Sequence, residues 1–160
     1  TPDNLKACID VAIESQQLVQ SSKVLTVTRM THAGGLLTQT LPAYSLGAEF
    51  KVQQFNAFTF LKDFKDYTHT FLAPAQMTAL MNTKGFKDCD SMDKVQHIKQ
   101  RAPDDYTIMG DKFYCDWKII KHELYVKGPT SIYDEWYATG DLVSLDMGRR
   151  MYYLGRKENI

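Results

Sequence analysis

Two side chains in the second half of the sequence, Asp141 and Arg156, have the chemistry of a polar ligand site. An ionised carboxylate such as that of Asp141 accepts two hydrogen bonds, which suits the adjacent hydroxyls of a ribose. The guanidinium of Arg156 is permanently charged and presents a fixed fork of donors, which suits ribose and phosphate oxygens. Each residue also has a structural alternative: a turn aspartate that bonds its own backbone, and an arginine exposed at a strand end.

A second candidate site follows an apolar segment near the start of the chain, in the sequence Thr31-His32-Ala33-Gly34-Gly35. Gly34 and Gly35 have no Cβ, so backbone and ligand can approach each other closely there. His32 is a candidate substrate contact, and the alternative is a structural histidine whose hydrogen bonds are satisfied within the fold. The residues alone leave both interpretations open.

Metal and disulfide chemistry are disfavoured by the spacing of the cysteines and histidines. The three cysteines are far apart, odd in number and not in CxxC spacing, so neither a disulfide framework nor a zinc site is expected. His122-Glu123 lacks the second histidine of the HExxH metalloprotease pattern and indicates a strand end. We therefore expect no metal ligand in this chain.

The composition excludes several classes of protein. The formal net charge is zero, with 19 basic and 19 acidic residues, so no global field recruits nucleic acid or an anionic membrane. No apolar segment approaches the length that spans a bilayer, and the first residues show no signal-peptide pattern. We expect a cytoplasmic globular protein with no nucleic-acid partner and no membrane span.

The elements that position His32 and the glycines are predicted by alternating helix and strand patterns in residues 1–87. Thr1-Pro2 is typical of a helix start, and residues 23–30 are rich in β-branched types typical of a buried strand. Gly47 is a predicted helix C-cap. Further strands are predicted at 49–55 and 67–72, and further helices at 57–64 and 75–81. This alternation predicts an α/β fold with a mainly parallel, layered sheet.

Asp141 and Arg156 fall in a half with a different pattern. Residues 88–107 are polar and aperiodic, which indicates a linker or a deletion seam near Asp90 and Ser91. From 108 to 160, short strands alternate with turn residues, which predicts an antiparallel, β-barrel-like subdomain. The predicted strands cover 113–120, 123–127, 141–145 and 151–154, with a hairpin turn at 146–149.

Four blocks of sequence resemble, in order, motifs of the adenylate-forming superfamily, which includes the AMP-forming acyl-CoA synthetases. The first block is Thr31–Gly35, followed by Leu41-Pro42 and Gly47-Ala48. The others are Glu123-Leu-Tyr-Val-Lys-Gly-Pro129, Trp136-Tyr-Ala-Thr-Gly-Asp-Leu142 and Tyr153-Leu-Gly-Arg-Lys157. Each block alone is a weak signal, whereas four in the family order are specific. The resemblance implies part of the N-terminal domain of such an enzyme.

The resemblance implies a nucleotide site in residues 108–160. In the family the aspartate of the TGD motif holds the ATP ribose, a role that falls on Asp141, with Thr139 in the same motif. The arginine of the GR motif lies near the nucleotide, which assigns Arg156. The cofactors implied in this way are ATP or AMP, Mg²⁺ and coenzyme A.

The resemblance also implies an acyl pocket and a hinge. His32 matches a position that borders the acyl and thiol sites, so His32, Gly34 and Gly35 would line the acyl pocket. Lys157 and Glu158 fall where the family hinges a small C-terminal domain. The family residue at position 158 is usually aspartate, and glutamate is one methylene longer, which puts the hinge assignment in question.

Other family motifs have no counterpart in the 160 residues. There is no Ser/Thr/Gly-rich loop whose backbone amides would cradle the ATP phosphates. No block supplies the aromatic residue that stacks on adenine, the glutamate that holds magnesium, or the lysine of the C-terminal domain. We therefore expect an incomplete fragment that has no assigned catalytic residue and is inactive alone.

Two functions compete at this point. The first is an ATP-dependent, AMP-forming acid–CoA or acid–thiol ligase that acts through an acyl-adenylate. Its partners would be a small carboxylic acid, a nucleotide and a thiol. The second is a catalytically inactive remnant that binds a nucleotide or an acyl group. The sequence leaves open the acid, the acceptor thiol and the oligomeric state.

Overall fold

The computed structural model describes residues 1–89, 109 and 112–159. These residues form two compact units, one made of residues 8–89 and the other of residues 1–7, 109 and 112–159. The first unit contains a parallel sheet and the second an antiparallel sheet, so the predicted α/β class is confirmed. The predicted seam at Asp90 and Ser91 lies outside the described residues.

Helices and strands alternate up to residue 89, as the sequence pattern predicts. In chain order the elements are α1 (Pro2–Gln16), β1 (Lys23–Thr26), α2 (Ala33–Gly35), a π-helical turn (Leu36–Thr40), α3 (Leu41–Leu46), β2 (Glu49–Val52), α4 (Phe60–Phe64), β3 (His69–Thr70), α5 (Pro74–Met81) and α6 (Lys84–Asp88). The sheet has the order β2-β1-β3, and both neighbours run parallel to β1.

Strand β1 is buried on both faces of the sheet. Leu25 packs on one face against Phe60 and Leu80, and Val24 packs in a second cluster that includes Ala43. Successive side chains of a strand point to opposite faces, so adjacent residues enter different clusters. Because the central strand of a parallel sheet is covered on both sides, Val24, Leu25 and Thr26 are all buried, and only Lys23 at the start of the strand is exposed.

Strand β1 ends earlier than predicted because side-chain hydrogen bonds take the place of the backbone hydrogen bonds between strands. The strand ends at Thr26, although the predicted strand continues to residue 30. Val27 and Thr28 remain buried. Gln76 Nε2 donates to the carbonyl of Val27 at 3.1 Å, and the Thr28 hydroxyl donates to the carbonyl of Phe71 at 3.2 Å. Val27 and Thr28 are thus buried although they are not paired in the sheet. Because a pattern of residue types indicates burial and not strand pairing, the sequence predicted a longer strand.

The segment between β1 and β2 is helical from Ala33 onward and contains the π-helical turn. Pro42 has no N–H, so the carbonyl of Thr38, four residues earlier, lacks its helical partner. Gln16 Nε2 donates to that carbonyl at 2.6 Å. The helix ends at Gly47, whose φ of +66° is left-handed, and this confirms the predicted C-cap.

The second unit contains a four-stranded antiparallel meander. Its strands are β4 (Asp116–Ile120), β5 (Glu123–Lys127), β6 (Tyr137–Leu145) and β7 (Met151–Arg156), followed by a 3₁₀ turn (Lys157–Asn159). The order β4-β5-β6-β7 follows the chain, and each pair is antiparallel. The bounds of β5 agree with the prediction, whereas β6 begins earlier and β7 ends later than predicted.

Residues 1–7 belong to this second unit, although the sequence pattern places them with the first half. Asn4 at the start of α1 accounts for the difference. Its side-chain amide donates to the carbonyls of Pro129 and Ser131, at 3.0 and 2.6 Å. A polar side chain on an exposed helical turn gives no signal in the sequence for such a long-range contact.

The β6–β7 hairpin closes through the turn predicted at residues 146–149. The N–H of Arg149 donates to the carbonyl of Asp146 at 3.0 Å, and Arg149 has a left-handed φ of +61°. The Asp146 carboxylate accepts from the N–H of Arg150 at 2.8 Å and from its Nε at 2.9 Å. These bonds, the backbone one foremost, lower the pKa of Asp146, so the hairpin is closed by a charged carboxylate.

Candidate functional site

Strands β6 and β7 bring the three predicted nucleotide-site residues together. Asp141 and Arg156 are directly paired across the two strands. Arg156 Nη1 donates to Asp141 Oδ1 at 2.9 Å and to the carbonyl of Thr139 at 2.8 Å. Opposite residues of an antiparallel pair have neighbouring side chains, so the strand register itself creates this ion pair.

Gly140 allows the guanidinium to lie against the backbone of β6. Its φ is +75°, a conformation that favours glycine. A Cβ at this position would lie 3.2 Å from Arg156 Nη2. The ladder between β6 and β7 also shifts register between Leu142 and Val143, just beyond the pair. The glycine and this bulge together shape the end of the hairpin that carries Asp141.

Thr139 fixes the backbone beneath the carboxylate. Its hydroxyl donates to the carbonyl of Leu124 on β5 at 2.9 Å and accepts from the N–H of Asp141 at 3.1 Å. The one proton of the hydroxyl and one of its two lone pairs are therefore used within the fold. In this arrangement Thr139 positions Asp141, and its side chain has no second proton to offer a ligand.

The Asp141 carboxylate keeps one oxygen available. Its side chain is 26% exposed, and Oδ2 accepts no hydrogen bond from any described residue. The hydrogen bond with Asp141, and then its charge, raise the pKa of Arg156, so the guanidinium stays charged. An oriented carboxylate with one free oxygen can accept hydrogen bonds from a hydroxylated ligand.

The two predicted hinge residues lie in the 3₁₀ turn that directly follows β7. Lys157 Nζ donates to Oε2 of Glu123 on β5 at 2.7 Å, and the pairing raises the pKa of Lys157. Glu158 is exposed. The sequence patterns placed Glu123 at a strand end and did not predict its ion pair with Lys157, although an acidic residue that begins a β-rich strand was an available signal.

The first unit contains a cleft at the carboxyl ends of β1 and β2. Its volume is about 540 Å³. The lining comprises Val27, Thr28, Arg29, Met30, His32, Val52, Gln53, Gln54, Phe55, Ala73 and Gln76. The carboxyl ends of parallel strands are the usual location of ligand sites in open α/β sheets. His32 is the one predicted acyl-pocket residue among the lining residues.

Gly34 and Gly35 are buried against the protein itself. A Cβ on Gly34 would lie 2.8 Å from the ring of Phe71, and one on Gly35 would lie 2.5 Å from the carbonyl oxygen of Thr28. These glycines therefore allow helix α2 to pack closely against the ring of Phe71 and the backbone of Thr28, and not against a ligand. They hold His32 at the rim by letting its helix pack tightly.

No site for a metal ion is evident among the residues that the structure describes, since no three Asp, Glu, His or Cys side chains cluster there. Within the same residues, no helix has the length and apolarity needed to cross a bilayer.

Comparison with known proteins identifies solved structures that have a similar fold. No family model and no curated protein sequence matches the chain. Among solved structures, O-succinylbenzoate coenzyme A synthetase from Bacillus subtilis, in complex with ATP and magnesium ion, matches with a TM-score of 0.79 and 14% identity. That match covers 100% of this chain and 47% of the synthetase. The chain therefore has the fold of this part of the synthetase.

Two further solved structures share this fold with the chain. The N-terminal domain of FACL13 from Mycobacterium tuberculosis matches with a TM-score of 0.74 and 13% identity, over 96% of this chain and 56% of that one. An amide bond synthetase from Marinactinospora thermotolerans matches with a TM-score of 0.73 and 15% identity, over 98% of this chain and 45% of that one. The chain spans about half the length of the structures it matches.

Proposed function

We propose that this chain is the acid- and nucleotide-binding part of an AMP-forming acid–CoA or acid–thiol ligase. In that reaction a carboxylic acid attacks the α-phosphate of ATP and pyrophosphate leaves. The acyl group then passes from the acyl-adenylate to a thiol such as that of coenzyme A, which forms a thioester and releases AMP. The pair formed by Asp141 and Arg156 is the observation that carries the proposal.

Asp141 would hold the ribose of the nucleotide. Arg156 occupies Oδ1 and leaves Oδ2 open, so the carboxylate is already oriented before a ligand arrives. A carboxylate bonded to a ribose hydroxyl gains about 1.5–3 kcal/mol, the usual contribution of a hydrogen bond to a charged group. Thr139 keeps the backbone of Asp141 in place through its two hydrogen bonds. Preorganisation of this kind lowers the entropy lost on binding.

Arg156 would serve the nucleotide in two ways. One nitrogen, Nη1, holds Asp141 and the carbonyl of Thr139. The guanidinium has five N–H donors in all, and its side chain is 43% exposed. The remaining donors are therefore available for ribose or phosphate oxygens.

ATP, when bound, would supply the activated phosphoryl group that makes adenylation favourable. The B. subtilis synthetase has been solved with AMP and with ATP, which supports a nucleotide role for the same fold here. This chain's own contribution would be positioning of the ribose in the second unit and of the acid in the first. No described residue is assigned to coenzyme A.

The second candidate function is a remnant that binds a nucleotide or an acyl group without catalysis, for which the same pair of Asp141 and Arg156 would serve as the ligand site. Loss of one stabilising donor typically lowers a rate by about 100- to 1,000-fold. The remnant should show AMP binding without acid-dependent pyrophosphate exchange. Acid-dependent exchange by the 160-residue chain would exclude the remnant.

The proposed nucleotide site is tested by calorimetric titration of AMP and of its 2′,3′-dideoxy analogue. We expect the wild-type chain to prefer AMP by about tenfold or more, the equivalent of one hydrogen bond to a charged group. Asp141→Ala should abolish the preference, whereas Asp134→Ala, at an exposed aspartate of the same unit, should retain it.

Equal affinities of wild type and Asp141→Ala for AMP would remove Asp141 from the site. Circular dichroism of the variant separates the structural alternative from the functional one. If Asp141→Ala does not fold but Asp141→Asn does, the isosteric variant takes its place in the titration. A folded Asp141→Asn chain with wild-type preference for AMP would contradict the proposal.

A further inference from the structure

The cleft in the first unit has an apolar wall and a cationic rim. Its volume of about 540 Å³ falls within the range of small-molecule sites, about 300–1,000 Å³. Val27, Met30, Val52 and Phe55 form the apolar part of the lining. Arg29 supplies the positive charge, and none of the described lining residues carries a carboxylate. The cleft therefore favours a ligand with an apolar body and a negative group.

The guanidinium of Arg29 is available to a ligand. Its side chain is exposed, and no described residue forms a hydrogen bond or an ion pair with its guanidinium. Its backbone carbonyl accepts from the N–H of His32 at 3.0 Å, so the two residues are the ends of one tight turn. The turn places a free guanidinium and an imidazole on the same rim of the cleft.

The imidazole of His32 adds a second donor at the rim. Its Nδ1 accepts from the N–H of Gly34 at 3.4 Å, so Nδ1 carries no hydrogen in this arrangement. The ring hydrogen is then on Nε2, which can only donate. Arg29 and His32 thus offer N–H groups and no acceptor, the requirement for binding an anion.

The glutamines of the lining contribute less to selectivity because two of them are already engaged. Gln76 accepts from the N–H of Ala73 at 2.9 Å and donates to the carbonyl of Val27. Gln53 Nε2 donates to Asp63 at 3.1 Å. Recognition of charge in the cleft therefore falls on Arg29 and His32.

We propose that the cleft binds a dicarboxylic acid with an apolar body, and that Arg29 and His32 hold one of its two carboxylates. A guanidinium–carboxylate pair neutralises the carboxylate that it holds, so the other carboxylate is the one left free to react. This inference rests on the proposed function, which makes the acid in the cleft the group to be activated. It names the class of acid that the ligase would accept.

The test compares phenylsuccinate with 3-phenylpropanoate, which has the same phenyl group and lacks one carboxylate. Each acid is titrated calorimetrically into the 160-residue chain. We expect phenylsuccinate to bind at least about tenfold more tightly, the usual effect of one hydrogen-bonded charge pair. Arg29→Ala should weaken the binding of phenylsuccinate more than that of 3-phenylpropanoate, and so reduce this preference.

Two matched variants make the result specific. Arg29→Lys keeps the charge without the guanidinium fork and should retain part of the preference. Lys62→Ala removes an exposed cation of helix α4 that does not line the cleft, and it should leave the preference intact. Equal binding of the two acids, binding of neither, or an equal loss for both in Arg29→Ala would overturn the proposal.

Further titrations distinguish a dicarboxylate site from a phosphate site and from the nucleotide site of the second unit. Inorganic phosphate that displaces phenylsuccinate through Arg29 with higher affinity would assign a phosphate site and overturn the dicarboxylate proposal. AMP titrated into the same samples reports on the second unit. Loss of AMP binding with the acid preference intact would reject the proposed nucleotide function alone, and the reverse pattern would reject only the dicarboxylate site.

Discussion

Lys157 Nζ lies 2.7 Å from Oε2 of Glu123, and this ion pair joins the turn after β7 to strand β5. Strand β6 lies between those two strands, so the contact spans the strand that carries Asp141. The Glu123 side chain is 9% exposed and that of Lys157 is 63% exposed. The buried carboxylate is therefore the member of the pair that depends on its partner.

Removal of the charge of Lys157 should destabilise the second unit. Lys157→Met keeps most of the apolar stem but leaves the Glu123 carboxylate buried without a cation. A buried acceptor that loses its partner costs more stability than an exposed ion pair contributes. We expect a lower Tm by circular dichroism for Lys157→Met, and a much smaller change when Glu123→Gln is already present. Equal shifts in both backgrounds would show that the pair contributes nothing.

The same pair predicts a loss of stability at high pH. The hydrogen bond to Glu123, and then its charge, raise the pKa of Lys157 above its ordinary value of 10.5. A raised pKa gives a stabilisation that is complete below 10.5 and is lost as the pH rises through the folded-state pKa. Urea unfolding on both sides of pH 10.5 should show this loss in wild type and less of it in Lys157→Met. Parallel pH profiles would contradict it.

Gly140→Ala should disturb both the hairpin and the nucleotide site. An L-residue in the left-handed conformation costs about 1–2 kcal/mol, and the new Cβ would lie 3.2 Å from Arg156 Nη2. We expect a lower urea midpoint and weaker AMP binding. Gly85→Ala is the matched control because no described atom lies within 4 Å of its Cβ. Since Gly85 is in helix α6, that change should be neutral or stabilising. Identical behaviour of the two variants would refute the role given to Gly140.

The hairpin turn should open in acid. Asp146 has a lowered pKa, mainly because its carboxylate accepts from the backbone N–H of Arg150. The stabilisation is present above the ordinary value of 3.8 and is lost as the pH falls through the folded-state pKa. The amide proton of Arg150 should then lose protection from hydrogen exchange in an NMR titration, and Asp146→Asn should weaken the pH dependence. Protection that is unchanged in acid would show that the carboxylate does not close the turn.

Sequence patterns predicted the elements whose cause is local. The C-cap at Gly47 needs only a residue that tolerates positive φ, and the bounds of β5 follow from a β-rich run ended by Gly128. The burial of β1 is visible as a segment rich in β-branched and apolar residues. Each of these features depends on a few neighbouring residues, and a sequence pattern can predict features of that kind.

Contacts that depend on register or on distant segments were not predictable. Lys157 and Glu123 pair because β7 and β5 lie on either side of β6. Neither sequence motif indicates that the two residues are close in space. Gln76, on a helix far along the chain, donates a hydrogen bond to the carbonyl of Val27, where backbone pairing of β1 has ended. Arg29 gave no signal because a single arginine after a strand is ordinarily a surface residue. Its significance comes from the cleft that surrounds it.

The hairpin of β6 and β7 keeps its tip and its proposed ligand-binding end apart. The turn at Asp146 lies at one end, and the pair of Asp141 and Arg156 lies at the other, beyond the register shift. Met147 at the tip has a relative exposure of 104%, so its side chain projects fully into solvent. A spectroscopic label attached there through Met147→Cys, in a chain whose three native cysteines are replaced by serine, would report on the hairpin while leaving its proposed ligand-binding end chemically unaltered. The tip is therefore a suitable reporter position for the AMP titration.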